Sequence, residues 1–451
     1  MAIELSSITF TPGADIVPES GEEDIINSGI ANTLAGDDTI AGIAEDGSFF
    51  GPGGIPCGID NTGTFNTAEG NDRITAWGNT YGIRNSSTFN TAEGDDIITA
   101  KGGWYGYGIH NTGTFNTAEG DDIITGNGGR HGDAIYNSKS GTFNTGAGDD
   151  IINAGGVNGG LSNSGTFTTA DGNDVITGSG GKSDGISIVK GSILDTGKGN
   201  DSITGYGLYA GIFNASFTFN TGDGNDTIKG SASLVGIANT GVINTGNGKD
   251  TILAGGGTSN IFGYNPGGSL SNGSTIETGN GEDIITGTGG INNNGTINTG
   301  DDDDIITGIG GFSSLGDEIS GISNKGTIDT GNGNDSIIAD GLIIGTGGTI
   351  NTGNGVDFII ANGGFKGMGS VFLENGKDYL NGFGTGKFNG GNNEDTLELT
   401  SGTYTVGKSA TTVSFTKSGV IMYTSEFEKL IAGSTTYDFT SLMDGQTIVV
   451  A

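Results

Sequence analysis

The chain has 451 residues, and its 52 Asp and Glu against 17 Lys and Arg give a net charge of −35. This charge disfavours nucleic acid and anionic membrane surfaces as partners and favours cations. Charged residues make up only 15% of the chain, which excludes the highly charged composition typical of disordered proteins. The 94 Gly against 5 Pro indicate many tight turns.

Residues 1–20 are predicted to form an N-terminal cap. They lack the basic start and apolar run of a secretion signal, and no stretch of the chain reaches the ~20 apolar residues of a membrane span. We therefore expect no membrane span and, for an exported protein, a route that uses no N-terminal signal. Cys57 is the only cysteine, so no disulfide within the chain stabilises the fold.

Residues 21–397 are predicted to form a β-solenoid, because one phrase recurs through them. The phrase Thr-(Gly or Ala)-x-(Gly or Asp)-x-Asp-x-Ile occurs twelve times between residues 67 and 361. Its final Asp recurs every 21 to 33 residues, with most spacings between 24 and 28. A period in that range is typical of a stacked solenoid, so chain length measures the number of turns and not the number of domains.

Each repeat contains three short strand patterns, which predicts an all-β, three-sided parallel coil. Residues two apart in a strand share a face, so the Ile two residues after the repeated Asp should point inward. A Phe, Leu or Ile two residues before the Thr of the next phrase should complete the core, which changes from aromatic to aliphatic near residue 240. Each of these side chains contributes roughly 1.5–3 kcal/mol when fully buried.

The middle strand of each repeat carries an Asn that is predicted to lie inside the coil. A buried amide is tolerated only when it is hydrogen-bonded, so we predict a ladder of Asn side chains bonded to one another and to turn backbone. The alternative is a turn-forming Asn without a ladder. The series comprises Asn61, Asn85, Asn111, Asn137, Asn163, Asn214, Asn239, Asn272, Asn293 and Asn324, with breaks at Ile188 and Ile344.

The repeated turn resembles the Gly-Gly-x-Gly-x-Asp-x-apolar-x nonapeptide of the RTX, or hemolysin-type calcium-binding, family. The resemblance covers the turn and first strand of each repeat from about Asp38 to Asp357. It implies a right-handed parallel β-solenoid in which each Asp and the carbonyls of its turn bind Ca²⁺ between neighbouring turns. Such a site suits Ca²⁺, which takes six to eight oxygen ligands.

The sequence departs from that family's pattern at three points. Thr replaces the first Gly, Ala replaces the second Gly in four turns, and each repeat has one such turn where the family has two. Because Ala is disfavoured at positive φ, we expect Ca²⁺ preferentially at Gly-bearing turns, which carry Asp201, Asp226, Asp250, Asp283, Asp335 and Asp357. The other candidate ligands are Asp72, Asp96, Asp122, Asp150, Asp174 and Asp304. Alternatively, each Asp only accepts backbone N–H bonds in its own turn.

Residues 398–451 are predicted to form a β-rich C-terminal cap, since ordinary alternating strands follow Asp395. RTX repeats are followed by such a cap and by an uncleaved signal for type I secretion, with which residues 438–451 are compatible. The resemblance therefore implies an extracellular or cell-surface protein.

Three classes of function stay open. Repeats fill most of the chain, which favours a calcium-stabilised structural or adhesive component of a fibre, matrix or surface layer and no enzyme. Outward Thr and Asn beside the core residues, as at Thr64 and Asn66, also suit an ice-binding solenoid.

The third class is a carbohydrate-binding protein or a polysaccharide lyase or epimerase. Its candidate carbohydrate patch gathers on the variable edge of successive repeats and comprises Trp77, Trp104, Tyr105 and Tyr107. His110 and His131 are the only histidines, which disfavours histidine chemistry. The expected partners are calcium ions, cell-surface polysaccharide and copies of the chain, because exposed end strands of a solenoid pair into filaments unless they are capped.

Overall fold

The computed structural model describes residues 2–18, 23–44, 56–256, 269–312 and 318–451. The boundary predicted between residues 20 and 21 lies outside these ranges. The described residues form β-strands and two 3-10 turns, Leu5–Ser7 and Phe439–Ser441, and contain no α-helix. None of the helical segments in these ranges has the length and apolar character needed to cross a membrane.

The chain divides into two compact units, which we call unit 1 (Met1–Ser233 with Gly241–Ile243) and unit 2 (Leu234–Thr240 with Asn244–Ala451). In each unit, one turn of chain contributes a first strand after the repeated Asp, a second strand with the ladder Asn, and a third strand before the next Thr. Equivalent strands of successive turns pair in parallel, which confirms the predicted parallel β-solenoid.

Unit 1 presents three faces of in-register strands. Its first strands are Ile16–Val17, Thr39–Ile43, Arg73–Gly78, Ile97–Gly102, Ile123–Gly128, Ile151–Gly156, Val175–Gly180, Ser202–Gly207 and Thr227–Ala232. Its second strands are Ile3–Glu4, Ile25–Asn27, Cys57–Asn61, Tyr81–Asn85, Tyr107–Asn111, Ile135–Asn137, Leu161–Asn163, Ile186–Ile188 and Ala210–Asn214. Its third strands are Ile30–Asn32, Thr64–Asn66, Thr88–Asn90, Thr114–Asn116, Thr142–Asn144, Thr166–Thr168, Ile193–Asp195 and Thr218–Asn220.

The core of unit 1 is a set of stacked identical side chains. Phe89 and Phe115 lie in register with ring centroids 4.6 Å apart, and the stack continues to Phe143 and Phe167 at the same spacing. Ile98 and the Phe residues are 0% exposed. The predicted inward positions are therefore confirmed, and like side chains remove one another from water along the coil.

Unit 2 repeats this arrangement with Ile in place of Phe on the third strands, where Ile276, Ile297, Ile328 and Ile350 are 0% exposed. Its first strands are Thr251–Gly256, Ile284–Gly287, Ile305–Ile309, Ser336–Asp340, Phe358–Ala361, Tyr379–Asn381, Thr396–Leu399 and Lys429–Ala432. Its second strands are Val235–Asn239, Leu270–Asn272, Ile291–Asn293, Ile322–Asn324, Leu342–Ile344 and Gly364–Lys366. Its third strands are Thr275–Glu277, Thr296–Asn298, Thr327–Asp329, Thr349–Asn351, Ser370–Phe372 and Gly386–Asn389.

Strand pairing changes character near the C-terminus of unit 2. Antiparallel pairs join Gly402–Lys408, Val413–Lys417, Val420–Ser425 and Thr447–Val450, and Thr435–Asp438 pairs with Lys429–Ala432. The prediction of a separate cap from residue 398 stays a prediction. A short antiparallel pair joins Gly311–Phe312 to Glu318–Ile319, and short parallel strands Asn354–Gly355 and Asn375–Gly376 lie in successive turns. Val242–Asn244 is a further strand.

The Asn ladder is present in both units. In unit 1 the side-chain amide of Asn85 donates to Oδ1 of Asn111 at 2.8 Å, and Asn111 donates to Asn137 at 2.9 Å. In unit 2 the ladder runs from Asn239 through Asn272 and Asn293 to Asn324. The predicted break at Ile188 is confirmed by its register with Asn163.

The ladder also breaks in the turn of Ile344, as predicted, but Ile344 itself does not occupy the ladder position. Ile343, rather than Leu342, pairs with the core residue Ile322, so Ile344 pairs with Ser323 on the outward side. The ladder position then falls on Gly345, because the extra residues in this turn shift the register by one and reverse which side chains face inward.

Candidate functional site

The repeated Asp residues form a buried row at the corner where each turn enters its first strand. Asp96 and Asp122 are 1% exposed, and their equivalents in both units are 0–2% exposed. The backbone N–H of each Asp donates to Oδ1 of the Asp in the next turn, at 2.8 Å for Asp72 to Asp96 and for Asp96 to Asp122. One oxygen of each carboxylate is thus satisfied by a neighbouring turn, and not by its own turn as the alternative interpretation had it.

The row includes every candidate metal ligand named from the sequence. In unit 1 the same bond links Asp122, Asp150, Asp174, Asp201 and Asp226 in succession. In unit 2 it links Asp250, Asp283, Asp304, Asp335 and Asp357, and continues to Asp378 and Asp395. The candidate ligands therefore form an ordered series within each unit, with one carboxylate per turn.

The second carboxylate oxygen, Oδ2, is buried without a hydrogen-bond partner in most of the row. This holds in unit 1 for Asp72, Asp96, Asp122 and Asp150, and in unit 2 for Asp283, Asp304, Asp335, Asp357, Asp378 and Asp395. A buried acceptor without a donor carries a large desolvation cost, and the cost is greater when the group is charged. Binding of a proton or a cation to each of these oxygens would offset that cost.

Burial is the main cause of a raised carboxyl pKa along the row. The pKa rises to about 8 for Asp122, Asp174 and Asp304 and to about 7 for Asp72, Asp96 and Asp335. It rises to about 6 for Asp150, Asp201, Asp283 and Asp357. Desolvation favours the neutral form of a carboxyl group, so near neutral pH a metal-free row is partly protonated.

The Thr that opens each turn explains one departure from the RTX pattern. Thr117 is buried, and its hydroxyl donates to the carbonyl of Thr145 in the next turn at 3.0 Å. In the turns of Asp174 and Asp201 the equivalent hydroxyl donates to Oδ2 of the Asp as well as to the carbonyl of the Thr in the next turn. A Gly at this position would remove a hydroxyl that in these two turns donates to the carboxylate. The sequence analysis missed this role, although the Thr recurs as regularly as the Asp.

The turn backbone adopts left-handed conformations that direct carbonyl groups toward the next turn. Ala118 has φ 68° and Gly146 has φ 92°. A Cβ atom on Gly146 would lie 1.5 Å from the carbonyl oxygen of Ala118, and one on Gly94 would lie 2.0 Å from that of Gly70. A side chain added at either of these glycines would therefore clash with the carbonyl of the preceding turn unless the backbone shifted.

This donor set fits Ca²⁺ only if backbone oxygens supply most of the ligands. Within the described residues, no group of three or more His, Cys, Asp or Glu side chains is placed to hold a metal ion. Each turn contributes one buried carboxylate, and Ca²⁺ accepts carbonyl oxygens as readily as carboxylates. The unpartnered Oδ2 atoms and the carbonyls of the Gly-rich turns are the oxygens that would hold it.

The carboxylate environment is the same in Ala-bearing and Gly-bearing turns. Asp96 follows Ala92 and Asp335 follows Gly331, yet both carboxylates are buried with an unpartnered Oδ2 and a pKa raised to about 7. Ala92 accommodates the turn at φ 66° and Gly331 at φ 83°. The expected preference of Ca²⁺ for Gly-bearing turns stays a prediction.

The acidic run at residues 301–304 does not form one carboxylate cluster. Asp301, Asp302 and Asp303 are exposed and only Asp304 is buried. Asp303 accepts hydrogen bonds from the backbone and side-chain amides of Asn334. The three exposed carboxylates are therefore solvated, and only Asp304 belongs to the buried row.

A separate groove lies on unit 1, where the first strands lead into the second strands. Its lining includes Trp77, Trp104, Lys101, Arg130 and Lys182, and its volume is about 600 Å³. Nζ of Lys101 lies 4.9 Å from the ring centroid of Trp77, and the guanidinium of Arg130 lies 5.0 Å from that of Trp104. We call this surface the basic aromatic groove.

The structure brings together only two of the four residues of the predicted carbohydrate patch. Trp77 and Trp104 line the groove, whereas Tyr105 stacks on His131 and Tyr107 stacks on Tyr81. The groove cations were missed from the sequence, although the repeat period places Lys101 in register with Trp77. Arg130 and Lys182 follow strands of different turns, so only the stacking of turns places Arg130 over Trp104 and Lys182 on the same groove.

The outward side of the second strands holds a compact polar and aromatic cluster. Tyr107 and Tyr136 lie 5.2 Å from the His110 ring, and burial lowers the pKa of His110, with the nearby charge of Arg84 as the second cause. Arg84 is bonded to Asp60 at 2.7 Å. Burial also raises the pKa of the Cys57 thiol to about 12, which makes it a poor nucleophile.

The third strands of unit 1 carry two outward rows of identical groups. Thr64, Thr88 and Thr114 lie in register on successive strands. The Asn beside each Thr donates to the Asn of the preceding turn, at 2.6 Å for Asn90 to Asn66 and for Asn116 to Asn90. We call this surface the Thr–Asn face.

No family model and no curated protein matches the chain. One similar solved structure is the crystal structure of a hyperactive, Ca²⁺-dependent, β-helical antifreeze protein from an Antarctic bacterium. The two chains are 15% identical, the match covers 86% of this chain and 78% of that one, and the TM-score is 0.28. Similarity at this level carries no argument about function. The chain is a parallel β-solenoid by its own strand register, and membership of the RTX family stays a prediction.

Proposed function

We propose that the protein is a non-catalytic, calcium-stabilised structural or adhesive solenoid of the extracellular space or cell surface. The observation that carries the proposal is the buried row of carboxylates with unpartnered Oδ2 atoms in both units. Buried charge is tolerated when it is paired or coordinates a metal. The chain's net charge of −35 further favours cations as partners.

Calcium would act here as a structural ion between turns. When bound, it would supply positive charge to carboxylates that no protein donor satisfies. The residues of this chain provide the buried Asp row, the Thr hydroxyl beside each carboxylate and the carbonyls of the Gly-rich turns. Binding to the folded state alone stabilises that state by mass action, so stability should depend on calcium.

The proposed location and assembly follow from the sequence. The turns resemble those of RTX proteins, which are exported by type I secretion without an N-terminal signal. A regular solenoid exposes large repetitive faces, which suits a fibre, matrix or surface layer built from copies of the chain. The carboxylates recur in register in every turn, an arrangement that suits a structural role better than a single catalytic centre.

The test is thermal unfolding of the full chain at pH 7.5 with excess Ca²⁺, with excess Mg²⁺ and with a chelator. At a free Ca²⁺ concentration of about 1,000 times Kd, each independent site adds about 4 kcal/mol to the free energy of unfolding. We therefore expect a large rise of Tm with Ca²⁺ and a small one with Mg²⁺, which requires closer octahedral coordination. A Tm that is the same in all three solutions would remove calcium from the proposal and leave the solenoid intact.

A second candidate function, ice binding, is favoured by the Thr–Asn face. Its rows are regular in two directions, with adjacent strands about 4.8 Å apart and alternate residues of one strand roughly 6.7 Å apart. The amides are held in one orientation by their bonds to one another. Such an array of hydroxyl and amide groups can order a layer of water.

Thermal hysteresis of the calcium-loaded protein tests this second function. Thr114→Lys places a long charged side chain in the centre of the face, and Thr62→Lys places the same side chain at an exposed position outside it. Ice binding predicts hysteresis that is abolished by T114K and retained by T62K. Absence of hysteresis in the unmodified protein would end this candidate.

A further inference from the structure

The basic aromatic groove has a charge opposite to that of the chain as a whole. Lys101, Arg130 and Lys182 are all exposed, and no Asp or Glu is among the described residues that line the groove. The chain has only 17 Lys and Arg in 451 residues. Three cations on one groove of an acidic protein are therefore a local feature that needs its own explanation.

Most acidic side chains of the same turns lie at the opposite end of the first strands. The nearer Asp133 and Asp184 accept hydrogen bonds from the side chain of Asn158 and the backbone N–H of Ala210, and neither lines the groove. Exposed Glu69 and Glu93 and buried Asp72 precede the strand, and Trp77 lies near its far end. At about 3.3 Å per residue, Asp72 and Trp77 are roughly 16 Å apart along the strand. The Debye length is about 8 Å at physiological ionic strength, so the acidic row is largely screened from an anion in the groove.

The groove cations are free to bind an anion. In the described part of the chain, none of the three forms an ion pair with a carboxylate; the recorded ion pairs involve Arg84, Lys249 and Lys429. Lys101 and Arg130 rest on the indoles of Trp77 and Trp104. Each contact holds a cation beside an aromatic ring without neutralising its charge.

The shape of the groove suits a chain molecule rather than a small ion. Its lining residues come from successive turns between Ala44 and Lys182. With strands about 4.8 Å apart, six turns span roughly 24 Å. Trp77 is 44% exposed and Trp104 is 57% exposed, so both offer a planar apolar surface to a ligand.

We propose that the basic aromatic groove binds an acidic polysaccharide. The apolar faces of its sugar rings pack against the two indoles, and its carboxylate or sulfate groups bind Lys101, Arg130 and Lys182. Aromatic rings combine a large apolar contact area with specific geometry, and Arg pairs with planar carboxylates through two hydrogen bonds. This inference goes beyond the calcium-stabilised solenoid, since none of the groove residues belongs to the buried Asp row.

The test is titration calorimetry of the full chain, in calcium-containing buffer, with three polymers of similar length: hyaluronan oligosaccharides, sulfated dextran and neutral dextran. We expect an anionic polymer to bind and neutral dextran to bind at least about tenfold more weakly. Comparison of hyaluronan with sulfated dextran distinguishes carboxylate from sulfate recognition. Affinity should fall as the salt concentration is raised, because binding releases counterions from the polymer and this release is less favourable at high salt. Failure of both anionic polymers to bind the folded protein would overturn the proposal.

Four variants test whether the polymer binds in the groove or is attracted only by positive charge elsewhere on the protein. Trp104→Ala and Arg130→Glu change the groove. Tyr209→Ala and Lys198→Glu are the controls, because they remove an aromatic ring and reverse a positive charge at exposed positions outside the groove. We expect the groove variants to weaken binding about tenfold or more and the control variants to change it less than about twofold. Equal effects of groove and control variants would show that binding is not in the groove.

The same samples keep this proposal distinct from the calcium proposal. Each variant is first checked for the far-ultraviolet circular dichroism and the calcium-dependent Tm of the unmodified protein. A groove variant that retains both and loses polymer binding supports the groove site. A protein that binds the polymer through the groove without any calcium effect on Tm supports this inference and contradicts the calcium proposal.

Discussion

The two buried polar ladders of this molecule use side chains of nearly the same shape with opposite outcomes. In the Asn ladder, Asn111 donates to Asn137 at 2.9 Å and to the Thr142 carbonyl at 2.9 Å, while its Oδ1 accepts from Asn85. In the Asp ladder, Asp122 accepts one backbone N–H through Oδ1, and its Oδ2 has no partner. Both residues are 0–1% exposed.

The difference follows from the chemistry of the two groups. An amide carries donors and acceptors, so a stack of amides satisfies itself at the spacing of parallel strands. An ionised carboxylate is only an acceptor, so a stack of carboxylates needs a donor or a cation from outside the row. The Asn ladder can therefore stabilise the fold by itself, whereas the Asp ladder makes stability depend on protons and metal ions.

The largest effect should come from placing a carboxylate in the amide ladder. Asn111→Asp removes both side-chain donor bonds and sets two acceptor oxygens against each other. We expect the free energy of unfolding to fall by about 3 kcal/mol or more, measured by urea unfolding in calcium-containing buffer. Asn116→Asp makes the same change in the half-buried Asn row of the Thr–Asn face and should cost less than about 1 kcal/mol. An equal loss of unfolding free energy in the two variants would contradict the distinction between the buried Asn ladder and the half-buried Asn row.

The second-largest effect should be the pH dependence of the stability of the metal-free protein. The folded pKa of Asp122 is about 8, well above the ~3.9 of an Asp in the unfolded chain. The folded state therefore binds more protons between these values, so its stability is highest at acidic pH and is lost as pH rises through the folded pKa. In a chelator, Tm should fall as pH rises from about 4 to about 8, and Ca²⁺ should restore it. A Tm that is constant over this range would show that burial does not raise the pKa of the Asp row.

A smaller effect should follow when one carboxylate of the row becomes an amide. Asp122→Asn keeps the Oδ1 acceptor and removes the buried charge, so in a chelator at about pH 8 it should stabilise the protein by about 1–2 kcal/mol. The same change should reduce the gain in Tm from Ca²⁺. Asp121→Asn alters the exposed neighbour and should shift stability by less than about 0.5 kcal/mol. Loss of stability in the chelator for D122N would contradict this account of the Asp ladder.

The smallest effect on stability should come from removing the Thr hydroxyl that lies beside each carboxylate. Thr117→Val removes the donor to the Thr145 carbonyl at 3.0 Å and leaves the volume nearly unchanged. We expect a loss of about 1 kcal/mol, the usual value for one hydrogen bond. The exposed Thr114→Val serves as the matched control and should be nearly neutral in urea unfolding. A neutral T117V would mean that the Thr row is not needed as a donor.

Most of the fold follows from the spacing of residues along the chain. The period of the repeated Asp predicted a solenoid, and the alternation of side chains placed the core Ile and Phe and the ladder Asn inside. These predictions succeed because a strand has a fixed two-residue period and because stacked turns repeat the same environment. The break predicted at Ile344 falls instead on Gly345, because the extra residues of that turn shift the strand register, which spacing alone does not reveal.

The candidate sites were likewise predicted from the sequence only in part. The sequence by itself determined which Asp residues form one row, since each occupies the same position in its repeat. Only the tertiary structure decided that each Oδ1 accepts a backbone N–H of the preceding turn and that most Oδ2 atoms are left without a donor. It also decided that Lys101 and Arg130 lie over two indoles and that Lys182 lines the same groove. Those facts depend on contacts between residues about 24 to 28 positions apart, and such contacts exist only after the turns have stacked.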